Sequence, residues 1–134
     1  ALPIWKGIGF MFGNTIAMMN KSMDYLWKKQ EIIADNIANV DTPGYKKKSV
    51  DFEQTFREKL EEAATIGKNA DVQQAIQNTN SRVVEEARAT RADGNGVNAD
   101  VEYTELTRTA LQYQYLVQSM SADITRYRSA IKGQ

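Results

Sequence analysis

The chain has 134 residues, the length of one ordinary domain, and its 17 Lys and Arg balance its 17 Asp and Glu, so nucleic acid is not an expected partner. It contains no His and no Cys, which removes Ser-His and Cys-His catalysis, disulfide staples and the usual zinc ligand sets. No Gly-rich phosphate loop is present, and the carboxylate neighbours Glu61-Glu62 and Glu85-Glu86 diverge on a helix, so no enzyme, cofactor, metal or small-molecule substrate is expected.

Residues 7–19 are apolar and follow Lys6, but Gly7, Gly9, Gly13, Asn14 and Thr15 interrupt them and no small-x-small cleavage pattern comes after. They read as the start of a helix, with no cleaved signal peptide and no transmembrane segment, being too short and too polar for a bilayer. Ile16, Met19, Met23, Leu26, Gln30, Ile33, Ile37 and Val40 then recur at alternating spacings of three and four. This is a heptad helix of about 35 Å. It stops near Asn39, before Asp41-Thr42-Pro43-Gly44, where proline removes a donor and glycine permits a tight turn.

Phe52, Phe56, Leu60 and Ala64 predict a short amphipathic helix from Ser49 to about Thr65. From Ile66 to Asn98 the chain is polar, and the expectation is a mobile connector with a short helix near 70–77 and an extended piece near 82–86. Asp93-Gly94-Asn95-Gly96 has turn composition; it resembles a fragment of a calcium loop, but the later ligands do not follow. Asn98 is a helix N-cap candidate, with Asp100 and Glu102 in the first turn where the positive helix end favours anions. A second stripe, Tyr103, Leu106, Ala110, Tyr113, Val117, Met120, Ile124, Tyr127 and Ile131, makes a helix of about 42 Å.

Two matched heptad helices at the chain ends predict an all-α fold in which they pair as an antiparallel coiled-coil hairpin. The expected organisation is 1–48 as helix and turn, 49–98 as short helix and connector, and 99–134 as the second helix, with one core domain formed by the two ends. Leu26, Ile33, Ile37, Leu106, Tyr113, Val117, Met120 and Ile124 are the candidate seam and assembly residues, and Ile37→Asp or Val117→Asp is expected to abolish assembly. Asn36, Ala38, Asn39, Thr42, Pro43, Gly44 and Tyr45 form a helix stop and a candidate subunit contact. Lys46-Lys47-Lys48 reads as a solvated loop.

A lone hairpin leaves apolar side chains unused. Met18, Tyr25 and Ile32 lie on a line away from the seam, Trp27 and Ala34 widen it, and residues 109–122 carry no charge. Either the middle segment folds over these faces or other subunits do; a single four-turn helix is too small for both, which favours assembly.

The run Asp35-Asn36-Ile37-Ala38-Asn39-Val40-Asp41-Thr42-Pro43-Gly44-Tyr45-Lys46 resembles the N-terminal signature of the bacterial flagellar axial proteins of rod and hook. Val50-Asp51-Phe52-Glu53, the short length, Asp93 to Asn98 and Tyr113 resemble the FlgB-type proximal rod family in particular, and Tyr113-Gln114-Tyr115-Leu116 departs from the FlgC type. The resemblance covers about residues 15–60 and 92–131. It implies a structural subunit of a helical tube that transmits torque and encloses an export channel. The implied partners are other rod proteins, the membrane-ring and export-gate junction proteins, and copies of itself. The implied location is the periplasmic rod of the basal body, reached as a type III export substrate. The alternatives are a FlgC-like rod component and a soluble helical adaptor or export chaperone.

Overall fold

Hydrophobic side chains repeating every three and four residues drive two long helices together. A computed structural model describes residues 4–52, 54, 58, 69–87 and 91–133. In chain order it contains α1 (Ile4–Ala38), β1 (Lys48–Asp51), α2 (Asn69–Asn78), β2 (Arg82–Glu85) and α3 (Ala99–Lys132). At 35 and 34 residues, α1 and α3 each run about 50 Å. Both exceed their periodic stripes: α1 reaches back to Ile4 through the glycines, and Val40 lies past its end.

The two helices pack antiparallel, since Asn36 meets Glu102, Lys29 meets Glu105 and Trp27 lies 6.2 Å from Tyr113 between ring centres. On α1 the predicted stripe faces inward, with Leu26 and Ile33 buried and Ile16, Met19, Met23, Gln30 and Ile37 half-buried. On α3 the inward face is turned by one residue. It runs through Glu102, Leu106, Thr109, Tyr113, Leu116 and Met120, leaving Tyr103, Val117 and Ile131 exposed. The shift follows from Glu102 and Thr109, which are buried but polar and so escape a hydrophobic pattern.

Asn98 caps α3, its side chain accepting from the amides of Asp100 (3.1 Å) and Val101 (3.4 Å). At the other end Gly133 takes a left-handed φ of 67° and donates back to Ala130 and Ser129.

The expected helix from Ser49 is corrected over its first residues, because Ser49 to Asp51 are strand. β1 pairs antiparallel with β2 in the register Lys48 with Glu85, Ser49 with Val84, Val50 with Val83 and Asp51 with Arg82. Opposite charges at both ends and valines between them stabilise this register, and such pairing outweighs a local helical period. Gln54 and Glu58 are helical and share a 3.0 Å hydrogen bond, whereas Phe56, Leu60 and Ala64 lie outside the described residues. The short helix and extended piece expected near 70–77 and 82–86 are α2 and β2.

Part of the second apolar line of α1 is covered by the chain itself. Phe52 stacks on Tyr25 at 4.8 Å and 16°, and Ile32 is buried, while Met18 stays 39% exposed. Ile76 and Ala75 of α2 are also buried in contact with the packed core of the molecule.

Candidate functional site: the corner beyond α1

The end of α1 is built by asparagine. Asn39 Nδ2 donates to Asp35 O at 2.8 Å, satisfying a carbonyl left open by the last turn, and Thr42 N donates to Asn39 O at 3.0 Å. Pro43 then prevents further helix, and Gly44 takes φ 71°, a left-handed value that costs glycine little. Gly44 N donates to Asp93 O (3.1 Å) and Gly96 N to Tyr45 O (2.9 Å), so the Thr-Pro-Gly-Tyr turn docks on the turn before α3.

Gly94 of that second turn has φ 80°, and a Cβ there would sit 3.5 Å from Gly44 Cα. Asn95 locks the two turns. It is fully buried, and its Nδ2 donates to the carbonyls of Asn39 (3.0 Å), Val40 (3.2 Å) and Thr42 (2.7 Å), while its Oδ1 accepts from Val97 N (2.7 Å). Arg91 adds a guanidinium bond to Val40 O and an ion pair with Asp93 at 3.3 Å. Asp93 Oδ1 also accepts from Asn95 N at 3.0 Å, the local bond of an Asx turn.

A second polar cluster ties the corner to α3. Asn36 is fully buried on α1, and its amide pairs with both backbone groups of Lys48: Nδ2 donates to O (2.8 Å) and Oδ1 accepts from N (3.0 Å). Nδ2 also donates to Glu102 Oε2 at 3.2 Å, and Lys47 Nζ lies 2.9 Å from Glu102 Oε1. Glu102 is 1% exposed, so its charge depends on these two partners and on the N-terminal end of α3. Burial pushes the Lys47 ammonium down, but the hydrogen bond and charge of Glu102 outweigh it and hold the amine above its ordinary value. The Tyr45 hydroxyl donates to Asp35 and Asn36, each at 3.3 Å; burial and then the Asp35 charge raise it above its ordinary value. Lys48 bridges Asp35 at 3.4 Å, which raises its ammonium as well.

Among the motif residues, Asn36, Asn39, Thr42, Gly44 and Tyr45 make these bonds, whereas Ala38 and Pro43 are exposed and contribute shape. Of the seam residues, Leu26 and Ile33 are buried in the chain, Ile37, Leu106, Tyr113, Met120 and Ile124 are half-buried, and Val117 is 37% exposed. Sequence reasoning missed Asn95, Lys47, Arg91 and Glu102 as corner residues. The available signal was Glu102 and Thr109, seven apart on the face of a heptad helix.

The corner coincides with the stretch, residues 26–46, that matches a family model described as flagella basal body rod protein. Over 126 residues the chain is 31% identical to the flagellar basal body rod protein FlgB of Bacillus subtilis, covering 92% of this chain and 97% of that protein. The chain belongs to the FlgB family of flagellar basal body rod proteins. The FlgB proteins of Aeromonas hydrophila (28% identical, 80% of this chain and 84% of that one) and Escherichia coli K12 (29%, 72% and 78%) are further relatives. The FlgB family is one of structural proteins, and in this member the corner is a hydrogen-bonded junction of two turns. Among the described residues no helix is long and apolar enough to cross a membrane.

Proposed function

We propose that this chain is a structural subunit of the proximal flagellar rod, its paired terminal helices built into a helical tube with other rod proteins and copies of itself. The observation that carries this is a charge-free stretch of α3, residues 109–122, that leaves Leu111 61% and Tyr115 73% exposed. Beside them a groove of about 570 Å³ opens between α1 and α3, floored by Tyr25, Leu26 and Phe52. A subunit whose surplus apolar face meets neighbours needs such a surface; an export chaperone or adaptor reading has no observation of its own.

In this reading Val117 and Ile124 face neighbours along α3, while Leu26, Ile33, Ile37, Leu106, Tyr113 and Met120 hold the hairpin closed. The corner of Asn36, Ala38, Asn39, Thr42, Pro43, Gly44 and Tyr45 makes a subunit contact. Residues 1–48 and 99–134 supply the one core domain and 49–98 connect them, and the subunit serves mechanically, without catalysis. It works on the periplasmic side of the inner membrane, reached by export, next to the membrane-ring and export-gate junction. Mass spectrometry of detergent-extracted, purified hook–basal bodies is the test. Stoichiometric retention of the chain is expected, and its absence from them with recovery elsewhere in the cell would overturn the proposal.

A further inference from the structure

Asn95-Gly96 is the only Asn-Gly pair in the sequence. Asparagine followed by glycine is the pair most open to spontaneous amide loss, because no Cβ shields the next peptide nitrogen. In the folded corner the reacting groups are all engaged. Gly96 N donates to Tyr45 O at 2.9 Å, and Asn95 Nδ2 is held by the carbonyls of Asn39, Val40 and Thr42. The residue is fully buried, so water has no approach to the side-chain carbon.

We propose that Asn95 is a self-modification site gated by the corner: it deamidates when the two turns separate, and the product prevents them from closing again. The deprotonated Gly96 nitrogen attacks Asn95 Cγ, forming an N–C bond while the C–N bond to the side-chain amine breaks and ammonia leaves. Water then opens the five-membered imide at either carbonyl, giving aspartate or isoaspartate; overall the amide and one water become an acid and one ammonia.

Either product is incompatible with the closed corner. Aspartate points an acceptor-only carboxylate at three carbonyl oxygens in a buried site, replacing three donated bonds by repulsion. Isoaspartate reroutes the main chain through Cβ and Cγ of residue 95, which lengthens the path from its Cα to Gly96 N, the donor to Tyr45 O, and turns the carbonyl that accepts from Arg91 N at 3.1 Å into a free carboxylate. A chain that stays open is thereby marked irreversibly, and a closed one is protected. This holds whether or not the chain is a rod subunit.

The test follows the full chain over time in mildly alkaline buffer, with and without urea, by peptide mapping that separates Asn95, aspartate and isoaspartate. Conversion at residue 95 is expected in urea and is slowed there by Gly96→Ala; without urea it is at least about tenfold slower, the ratio reporting how rarely the corner opens. The converted chain, freed of urea, is expected to lack the parent's thermal transition. Equal rates with and without urea, no conversion in urea, or a converted chain with the parent's transition would each overturn the proposal.

Discussion

Replacing Asn36 by Leu keeps the volume of a buried side chain but removes four bonds at once, that from the Tyr45 hydroxyl among them. The amide and carbonyl of Lys48 lose their partner, and Glu102 keeps its charge with Lys47 alone. Stranded buried polar groups cost more than a bond contributes, so a loss of about 2–4 kcal/mol is expected in urea unfolding; a loss below about 0.5 kcal/mol would remove Asn36 from the corner's support. Titration adds a second check. Tyr45 and Lys47 are both raised above their ordinary values of 10.0 and 10.5. A raised group favours its protonated form in the fold, so its contribution is complete below the ordinary value and is lost as pH climbs through the raised one. Stability should therefore fall in the alkaline window above about pH 10, and Tyr45→Phe should flatten the tyrosine part of that fall. A parent stability independent of pH across that window would contradict the geometry. Glycine supplies the third check: Gly44→Ala and Gly94→Ala, at φ 71° and 80°, should each lose about 1 kcal/mol or more.

Between elements, the apolar seam alone specifies register weakly, because a heptad repeat slides by seven residues with similar packing. Asn36, Lys47 and Glu102 meet in only one register, and buried polar groups are best attested in that role. The parent sequence has no cysteine, so introduced pairs are clean reporters. Lys29→Cys with Glu105→Cys, at a pair now 3.3 Å apart, should be bridged fully by a short thiol reagent, and a pairing of position 29 with 112 should not. Adding Asn36→Leu, Lys47→Met and Glu102→Leu together should let the second pairing appear; a single register in that variant would show that packing suffices. The two helices, α2 and β2 were legible in sequence because periodicity, turn residues and an N-cap signal are local. β1 was not, since Ser49 and Val50 are strand only through Lys48 held by Asn36 and Val83 supplied from far along the chain. Glu102 and Thr109 were hidden for the opposite reason, being core positions filled by polar residues.

At the scale of the whole molecule, folding and assembly use different faces of the same helices, and substitutions can separate them. Ile33 is 5% exposed beneath both α3 and β1, so Ile33→Asp places an unpaired charge in the core and should unfold the chain, at a cost of several kcal/mol. Val117 is 37% exposed in the isolated chain, in the same charge-free stretch as Leu111 and Tyr115 but on another side of α3. There an aspartate stays hydrated, and Val117→Asp should leave urea unfolding within about 0.5 kcal/mol of the parent. In a tube the same carboxylate is buried against a neighbour without a partner, so the variant is expected to be lost from purified hook–basal bodies and to abolish motility. A stable Val117→Asp chain that still assembles normally would place the neighbour-facing surface elsewhere; one that unfolds would make Val117 part of the hairpin's own core.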